Sequence, residues 1–150
     1  MTTTAKVHRF PVEIHWLGGR KTCASVAGKP QLTVATPPEF HGGVEGVWSP
    51  EDLLVASAAT CFTVTLVSAA GRRGLPLRAL GVHATGAVSQ RPDDGFGFTE
   101  IELEVVIATD PGYESQARDA AEAAERSCLV AVSLDLPVRM TLDVRTAAAA

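Results

Sequence analysis

The sequence predicts a single domain, residues 1–150, that mixes antiparallel β-strands with two helices. Apolar and polar residues alternate in the first third, as in Val12–Trp16, which is typical of a strand with one buried face. A long apolar segment that follows is typical of a buried helix. At 150 residues and 46% hydrophobic content, the chain is large enough to bury one core without disulfides or metals.

The N-terminal third is expected to form a three-stranded meander. After Val12–Trp16, short strands are predicted at Cys23–Val26 and Leu32–Ala35, because the Gly- and Pro-containing turns between them favour antiparallel neighbours. The segment Pro37–Val47 is rich in Pro and Gly and is predicted to be an exposed loop.

The first helix has clear start and stop signals. Ser49 is a suitable cap, Pro50 fits the first helical position and Asp52 completes a capping-box-like spacing. Gly74 and Pro76 should end the helix after about Arg72 or Arg73. Apolar residues cover nearly all of its sides, so it should be buried all round, within one domain or between subunits.

Beyond this helix the pattern predicts strands over 77–85 and 99–107, joined by a turn at Arg91–Gly95. Asp110–Gly112 opens a second helix, and its three- and four-residue apolar steps place Cys128 on the buried stripe. The last strand is predicted at Val138–Val144, with residues 1–6 and 146–150 as frayed termini.

Composition argues against several classes of partner. The net charge is −4 and the basic residues are scattered, so no stripe resembles a nucleic-acid-binding surface. No export signal or run of roughly 18 apolar residues was found, so we expect a cytoplasmic protein with no membrane association. The four histidines show no metal-ligand spacing, and no metal or bound cofactor is expected.

Three cysteines without an export signal indicate free thiols rather than a disulfide framework. Cys61 lies in the first helix and Cys128 in the second, so folding could bring these two thiols together. An apolar environment makes a thiol inert unless a cation or hydrogen bond compensates. Arg20, after a Gly-Gly turn, is the best candidate for that cation, and Glu51 could orient it through a bidentate salt bridge.

Glu51 and Cys61 are ten residues apart, which is roughly 15 Å along one helix. If both belong to one site, Glu51 would reach the Cys61 of a second subunit. On composition alone, Cys61 and Cys128 are equally compatible with core filling, because cysteine is among the most buried residue types. Cys23 is interpreted as structural and His41 as a loop residue.

Four segments together resemble a known family. They are Gly18-Gly19-Arg20, Ser49-Pro50-Glu51-Asp52-Leu53-Leu54, Ala58-Ala59-Thr60-Cys61-Phe62 and Cys128-Leu129-Val130. In this order they resemble the motifs of the OsmC/Ohr family, the osmotically inducible protein C and organic hydroperoxide resistance proteins, from about Val12 to Val144.

The resemblance implies a two-layer α+β fold with antiparallel sheets around a long buried central helix, in an intertwined homodimer with interfacial sites. It also implies thiol peroxidase activity on organic hydroperoxides. Cys61 would then be the peroxidatic thiolate, Arg20 would stabilise it, Glu51 would hold Arg20, and Cys128 would be the resolving thiol. An external dithiol, for which a lipoyl-bearing protein is a candidate, would reduce the Cys61–Cys128 disulfide. Apolar walls, including Leu54 and Phe62, would favour alkyl or lipid hydroperoxides.

The chain departs from the family pattern at two places in these motifs. Leu129 follows the second cysteine where the family usually has proline, and Ser49 replaces the asparagine before Pro-Glu. The sequence does not distinguish the OsmC from the Ohr branch.

Two alternatives remain open at this stage. A non-catalytic OsmC-like module that binds an apolar ligand or senses redox state would keep the fold without peroxide turnover. A hot-dog thioesterase would use Glu51 or Asp52 as a base, with the cysteines irrelevant.

Overall fold

The computed structural model describes residues 5–93 and 95–147, which form an α+β fold, as expected. The chain divides into two compact units, Met1–Leu53 and Leu54–Ala150. The single-domain organisation stays a prediction, and the termini expected to be frayed lie partly outside the described residues. The elements are β1 (Glu13–Gly18), β2 (Lys21–Ser25), β3 (Leu32–Ala35), α1 (Pro50–Arg72), β4 (Leu77–Gln90), β5 (Phe96–Thr109), α2 (Glu114–Ser127), α3 (Leu129–Ser133) and β6 (Val138–Thr146).

The first unit contains the predicted meander. Strands β1, β2 and β3 form an antiparallel sheet in that order, with Glu13 opposite Ser25 and Cys23 opposite Thr33. The β1–β2 turn uses Gly18 and Gly19 at φ of 101° and 53°, a backbone region that favours glycine. Residues with side chains would be strained there, so the two glycines fix the turn that precedes Arg20.

Strand β1 does not have the buried face that its alternation predicts. Ile14 is 59% exposed and Trp16 is 75% exposed, although both point to the same side of the strand. β1 is the outer strand of the sheet, and the buried apolar residues described in this unit are Val34 and Ala35 of β3. The alternating pattern therefore marks an apolar face that a single chain leaves open.

The capping box at the start of α1 is confirmed. The backbone N–H of Ser49 donates to Asp52 Oδ2 at 2.9 Å, and the backbone N–H of Asp52 donates to Ser49 Oγ at 3.0 Å. This reciprocal pair satisfies N–H groups that have no partner within the helix. The helix ends at Arg72, and Gly74 follows with φ of 63°. Both boundaries match the prediction.

Within one chain, helix α1 is buried on one side only, so the expected burial on all sides would require a second subunit. Its fully buried residues follow one side: Ala58, Phe62, Leu66, Ala69 and Ala70. The opposite side is exposed, and we call it the open face of α1: Ser57, Thr60, Val64, Val67, Ser68 and Gly71. The three- and four-residue steps in this set define a single stripe. The apolar composition therefore reflects two separate faces, of which one chain covers only the first.

By length and composition, α1 could also cross a membrane. An 18-residue window in it has a mean hydropathy of 1.9, so the expectation that no such run exists is wrong. The expectation was based on an uninterrupted apolar run, whereas the mean hydropathy of the window stays high although serines and threonines interrupt the apolar residues. A core helix of a soluble protein passes the same test, and one side of α1 packs into the core, so this feature alone does not indicate a bilayer.

The second sheet is mixed rather than antiparallel. Strands β4 and β5 are antiparallel, with Leu80 opposite Ile107, but β6 is parallel to β5, with Ile101 opposite Val138. The connection between β5 and β6 contains α2 and α3, which bring the chain back to the end of the sheet where β5 begins. A helical crossover of this kind is what joins parallel neighbours. β4 and β5 are also longer than predicted.

The core of the second unit lies between this sheet and the helices. Strand β5 presents its buried side chains at alternate positions, and α2 presents four alanines to the same core: Ile101, Leu103, Val105, Ile107, Ala117, Ala120, Ala121 and Ala124. Thr146 belongs to β6, and the Ala147 N–H donates to the Thr109 carbonyl at 2.8 Å. The prediction that the frayed tail begins at Thr146 is therefore wrong.

Candidate active site

Cys61 lies on the flank of α1, between its buried side and its open face. At 100° per residue it projects between Ser57 and Ala58 when viewed down the helix axis. Its side chain is half-buried and packs against the core, whereas the next residue, Phe62, is only 1% exposed. The Cys61 side chain therefore packs against the core without being fully buried. Phe62, which was expected to line a substrate site, is a core residue instead.

Cys128 is not carried by a helix, contrary to the prediction. Helix α2 ends at Ser127 and α3 begins at Leu129, and Cys128 lies between them with φ of −65° and ψ of 107°. This extended residue ends one helix and precedes the first N–H groups of the next. Cys128 is 1% exposed, and its Sγ lies 3.9 Å from the carbonyl oxygen of Ala58. The prediction that Cys128 is buried is confirmed.

The structure brings the Cys61 and Cys128 thiols into hydrogen-bonding contact. Burial raises the pKa of the Cys61 thiol, but hydrogen bonds to its sulfur outweigh this effect and lower the pKa below its ordinary value. In order of size, these bonds come from the backbone of Val130, the thiol of Cys128, the backbone of Leu129 and the side chain of Thr65. Cys61 is thus the thiol that ionises first.

Cys128 shows the opposite shift. Burial raises its pKa most, and the hydrogen bond to Cys61 and the negative charge on Cys61 raise it further. Hydrogen bonds from the backbone of Ala131 and Val130 act in the other direction without reversing the result. The pair therefore combines a half-buried thiol that ionises more readily with a buried thiol whose ionised form is disfavoured. This combination suits a nucleophile and a second thiol that attacks later.

Several groups around Cys61 were missed by sequence reasoning. The backbone donors at Leu129 and Val130 depend on the break between α2 and α3, which the periodicity did not reveal. Thr65 could have been found, because residues four apart on a helix are neighbours. Leu54 lies seven residues before Cys61 on nearly the same line of the helix and is half-buried.

Arg20 and Glu51 lie in the first unit. Arg20 follows the Gly18-Gly19 turn and is exposed, and its side chain lies against Gly42 in the loop. Glu51 is in the first turn of α1, and its Oε2 is buried without a hydrogen-bond partner. Within the described part of this unit, Arg20 and Glu51 form no ion pair, so the predicted bidentate salt bridge is not formed in the isolated chain.

Cys23 and His41, which were not assigned a catalytic role, both lie in the first unit. Cys23 is half-buried in β2, opposite His15 of β1, and His41 is an exposed loop residue, as interpreted from the sequence. Among residues 5–93 and 95–147, no group of three or more His, Cys, Asp or Glu side chains is arranged to hold a metal ion. A surface depression of about 410 Å³ in the second unit is lined by Glu102, Glu104, Glu125, Val138, Arg139, Met140 and Thr141, without a cysteine.

Comparison with known proteins identifies the family. Residues 43–143 match the model of OsmC-like proteins. The protein YmaD of Bacillus subtilis is 26% identical over 141 residues, which cover 91% of this chain and 93% of YmaD.

Solved structures show the same fold. An OsmC-like protein from Vibrio cholerae has a TM-score of 0.81 at 17% identity, covering 91% of this chain and 99% of that one. An organic hydroperoxide resistance protein OsmC from Legionella pneumophila has a TM-score of 0.74 at 22% identity, covering 94% and 99%. The predicted fold and family are confirmed, and the chain belongs to the OsmC-like family.

Proposed function

We propose that this protein is a thiol-dependent peroxidase that reduces organic hydroperoxides to alcohols. The observation that carries the proposal is the contact between an accessible cysteine of lowered pKa, Cys61, and a buried cysteine of raised pKa, Cys128. The similarity to the organic hydroperoxide resistance protein of Legionella pneumophila supports the choice of substrate class.

In the first step, the Cys61 thiolate attacks the terminal oxygen of the hydroperoxide. The S–O bond forms as the O–O bond breaks, and the leaving alkoxide takes up a proton to become the alcohol. Sulfur is oxidised to a sulfenic acid and the peroxide is reduced by the same two electrons. The half-buried position of Cys61 makes its sulfur the accessible one of the pair.

In the second step, Cys128 attacks the sulfenic sulfur, forming the disulfide and releasing water. While Cys61 is a thiolate, its charge and hydrogen bond help to keep Cys128 protonated. The sulfenic acid is neutral, so that charge effect disappears and Cys128 ionises more readily. The first step thereby makes the resolving thiol easier to ionise, while burial continues to raise its pKa. Disulfide formation then competes with further oxidation of Cys61 to a sulfinic acid.

Completion of the cycle requires an external dithiol that reduces the disulfide by two successive exchange reactions. The dithiol is oxidised to its own disulfide, and both protein thiols are regenerated. A lipoyl-bearing protein would supply such a dithiol. No bound cofactor is needed in this scheme.

The surface near Cys61 favours an apolar hydroperoxide. Leu129, whose backbone bonds to the Cys61 sulfur, is 70% exposed, and Val132, one turn later in α3, is 64% exposed. On the open face of α1, Val64 is 59% exposed. Exposed apolar side chains beside a reactive thiol would contact an alkyl chain and exclude water from it.

A homodimer would account for the apolar surfaces that one chain leaves exposed. The open face of α1 and the apolar side of β1 are both weakly polar and largely uncovered. Cys61 borders the open face of α1, so a partner that covers this face would approach the thiol. We propose that Arg20 and Glu51 act at a Cys61 across this interface. The unpartnered Glu51 Oε2 supports this, because a buried carboxylate oxygen requires a donor such as a guanidinium.

The capping box argues against Asp52, one of the two bases considered for the thioesterase alternative. The Asp52 carboxylate accepts the Ser49 N–H at 2.9 Å and is engaged at the start of α1. It is therefore poorly suited to act as a general base. The match to the OsmC-like family also separates the fold from that alternative.

The proposed function is tested by Cys61→Ser, with Cys23→Ser as the matched control. Turnover of cumene hydroperoxide with dihydrolipoamide should be abolished in the first variant and retained in the second, because Cys23 lies in β2 of the first unit. Turnover in Cys61→Ser at the wild-type rate would contradict the role of Cys61, and absence of turnover in the wild-type protein would assign it to the non-catalytic alternative.

A further inference from the structure

We propose that Gly42 is a positioning residue for Arg20, because the Arg20 side chain occupies the space that any side chain at residue 42 would fill. This inference rests on the proposed function in one respect, namely that Arg20 acts on the reactive cysteine. The contact itself lies entirely within the first unit.

The geometry of the contact is close. A Cβ built on Gly42 would lie 2.9 Å from Arg20 Nε, 3.1 Å from Cδ and 3.6 Å from Cζ. The first distance is shorter than real Cβ atoms show, so the guanidinium stem rests directly on the Gly42 backbone. Within the described part of the first unit, the Arg20 side chain has no hydrogen bond or ion pair, so this packing contact is what locates it.

Backbone hydrogen bonds hold the loop beside Arg20. The Thr36 N–H donates to the Arg20 carbonyl at 3.3 Å, and the Val44 N–H donates to the Thr36 carbonyl at 2.9 Å. Inside the loop, the Gly43 N–H donates to the Phe40 carbonyl at 2.9 Å. The loop is therefore closed on itself and bonded to the turn that contains Arg20.

An added methyl group at residue 42 would move Arg20 rather than the loop. The atoms that it would meet belong to the flexible, exposed side chain of Arg20, whereas the Gly42 backbone is part of the bonded loop. Gly42 has φ of 75°, so a substitution also strains the backbone. Gly46 has the same φ of 75° in the same segment, but nothing lies within 4 Å of its Cβ position. Gly46→Ala therefore reproduces the backbone strain without the contact.

The experiment compares Gly42→Ala with Gly46→Ala in two measurements. The first is the Arg20 Nε–H resonance in a ¹H–¹⁵N spectrum of the reduced protein, assigned by its loss in Arg20→Lys. The second is the rate constant for oxidation of the protein by cumene hydroperoxide between pH 5 and 9, with and without Arg20→Ala.

The Arg20 resonance should shift in Gly42→Ala and not in Gly46→Ala. The oxidation rate should fall by about threefold or more in Gly42→Ala relative to Gly46→Ala, as expected for contacting residues, and Gly42→Ala should change nothing further when Arg20 is already alanine. The pH profile of Gly42→Ala should move toward that of Arg20→Ala, which a purely structural defect would not produce.

Two results would overturn the inference. One is an unchanged Arg20 resonance in Gly42→Ala; the other is a failure of Gly42→Ala alone to fold, since the proposal requires Arg20 to give way. If Arg20→Ala oxidises at the wild-type rate, the proposed role of Arg20 in the function is wrong, while the resonance still decides whether Gly42 positions it.

Discussion

Replacing Leu129 by proline would isolate one hydrogen bond at the Cys61 sulfur. The Leu129 backbone N–H is one of the donors that lower the pKa of Cys61, and proline has no N–H. The local backbone suits proline, because Leu129 is the first residue of α3 and Cys128 before it is extended, at φ of −65° and ψ of 107°. The Leu129 side chain is 70% exposed, so its loss removes little core packing.

A hydrogen bond to a charged group contributes about 1.5–3 kcal/mol. Because Cys61 is only half-buried, water replaces part of the lost bond, and we expect about 1 kcal/mol of thiolate stabilisation to disappear. At a pH below the pKa, that loss corresponds to about fivefold less thiolate. The direction is fixed by the sign of the interaction: removing a donor to the charged form raises the pKa of Cys61.

The assay is the rate of iodoacetamide alkylation of Cys61 as a function of pH, in a background where Cys23 is serine. The alkylation profile of Leu129→Pro should move to higher pH, with about a fivefold lower rate at low pH. Leu129→Ala is the matched control, because it removes the same side chain and keeps the N–H. Coincident profiles for the proline and alanine variants would refute the assignment of this backbone donor.

Three further predictions concern the second cysteine, the helix cap and the dimer. In Cys128→Ser, cumene hydroperoxide should oxidise Cys61 to a sulfinic acid, because no thiol remains to trap the sulfenic acid. The product is identified by intact mass, and a stable sulfenic acid would contradict this prediction. Ser49→Ala should lower the free energy of unfolding by about 1 kcal/mol in urea titrations, since the bond from the Asp52 N–H to Ser49 Oγ is lost. Val64→Lys with Val67→Lys should yield a monomer by light scattering, whereas Gln116→Lys on exposed α2 surface should not; equal masses would exclude the open face of α1 as an interface.

Local signals in the sequence were sufficient for the start of α1 and for the meander. Ser49 and Asp52 are three residues apart, which is the spacing that lets each side chain reach the other's N–H, and the structure confirms both bonds. The glycines before Arg20 and after α1 likewise take left-handed conformations at the expected ends of elements.

The direction of β6 and the position of Cys128 were not predicted, for different reasons. Alternation shows that Val138–Val144 is a strand but does not show whether it runs parallel to its neighbour, which depends on the connection. Cys128 continues the three- and four-residue spacing of α2, so periodicity placed it in the helix, although the backbone turns there.

The exposed face of α1 shows what composition alone cannot resolve. Apolar residues on all sides predict burial, but the sequence does not say whether the same chain supplies the cover. In this structure Val64 and Val67 are 59% and 49% exposed, whereas Leu66 is completely buried. The contact between Gly42 and Arg20 was also missed, because it joins a loop to a turn 22 residues earlier in the sequence.

The most direct test of the account is the product of a single oxidation. The reduced protein is mixed with one equivalent of cumene hydroperoxide or hydrogen peroxide in a stopped-flow instrument, and the product is digested for mass spectrometry. The account predicts faster oxidation by the organic peroxide and a peptide that contains the Cys61–Cys128 disulfide. Slow oxidation by both peroxides, or a product without that disulfide, would contradict the proposed chemistry of the thiol pair.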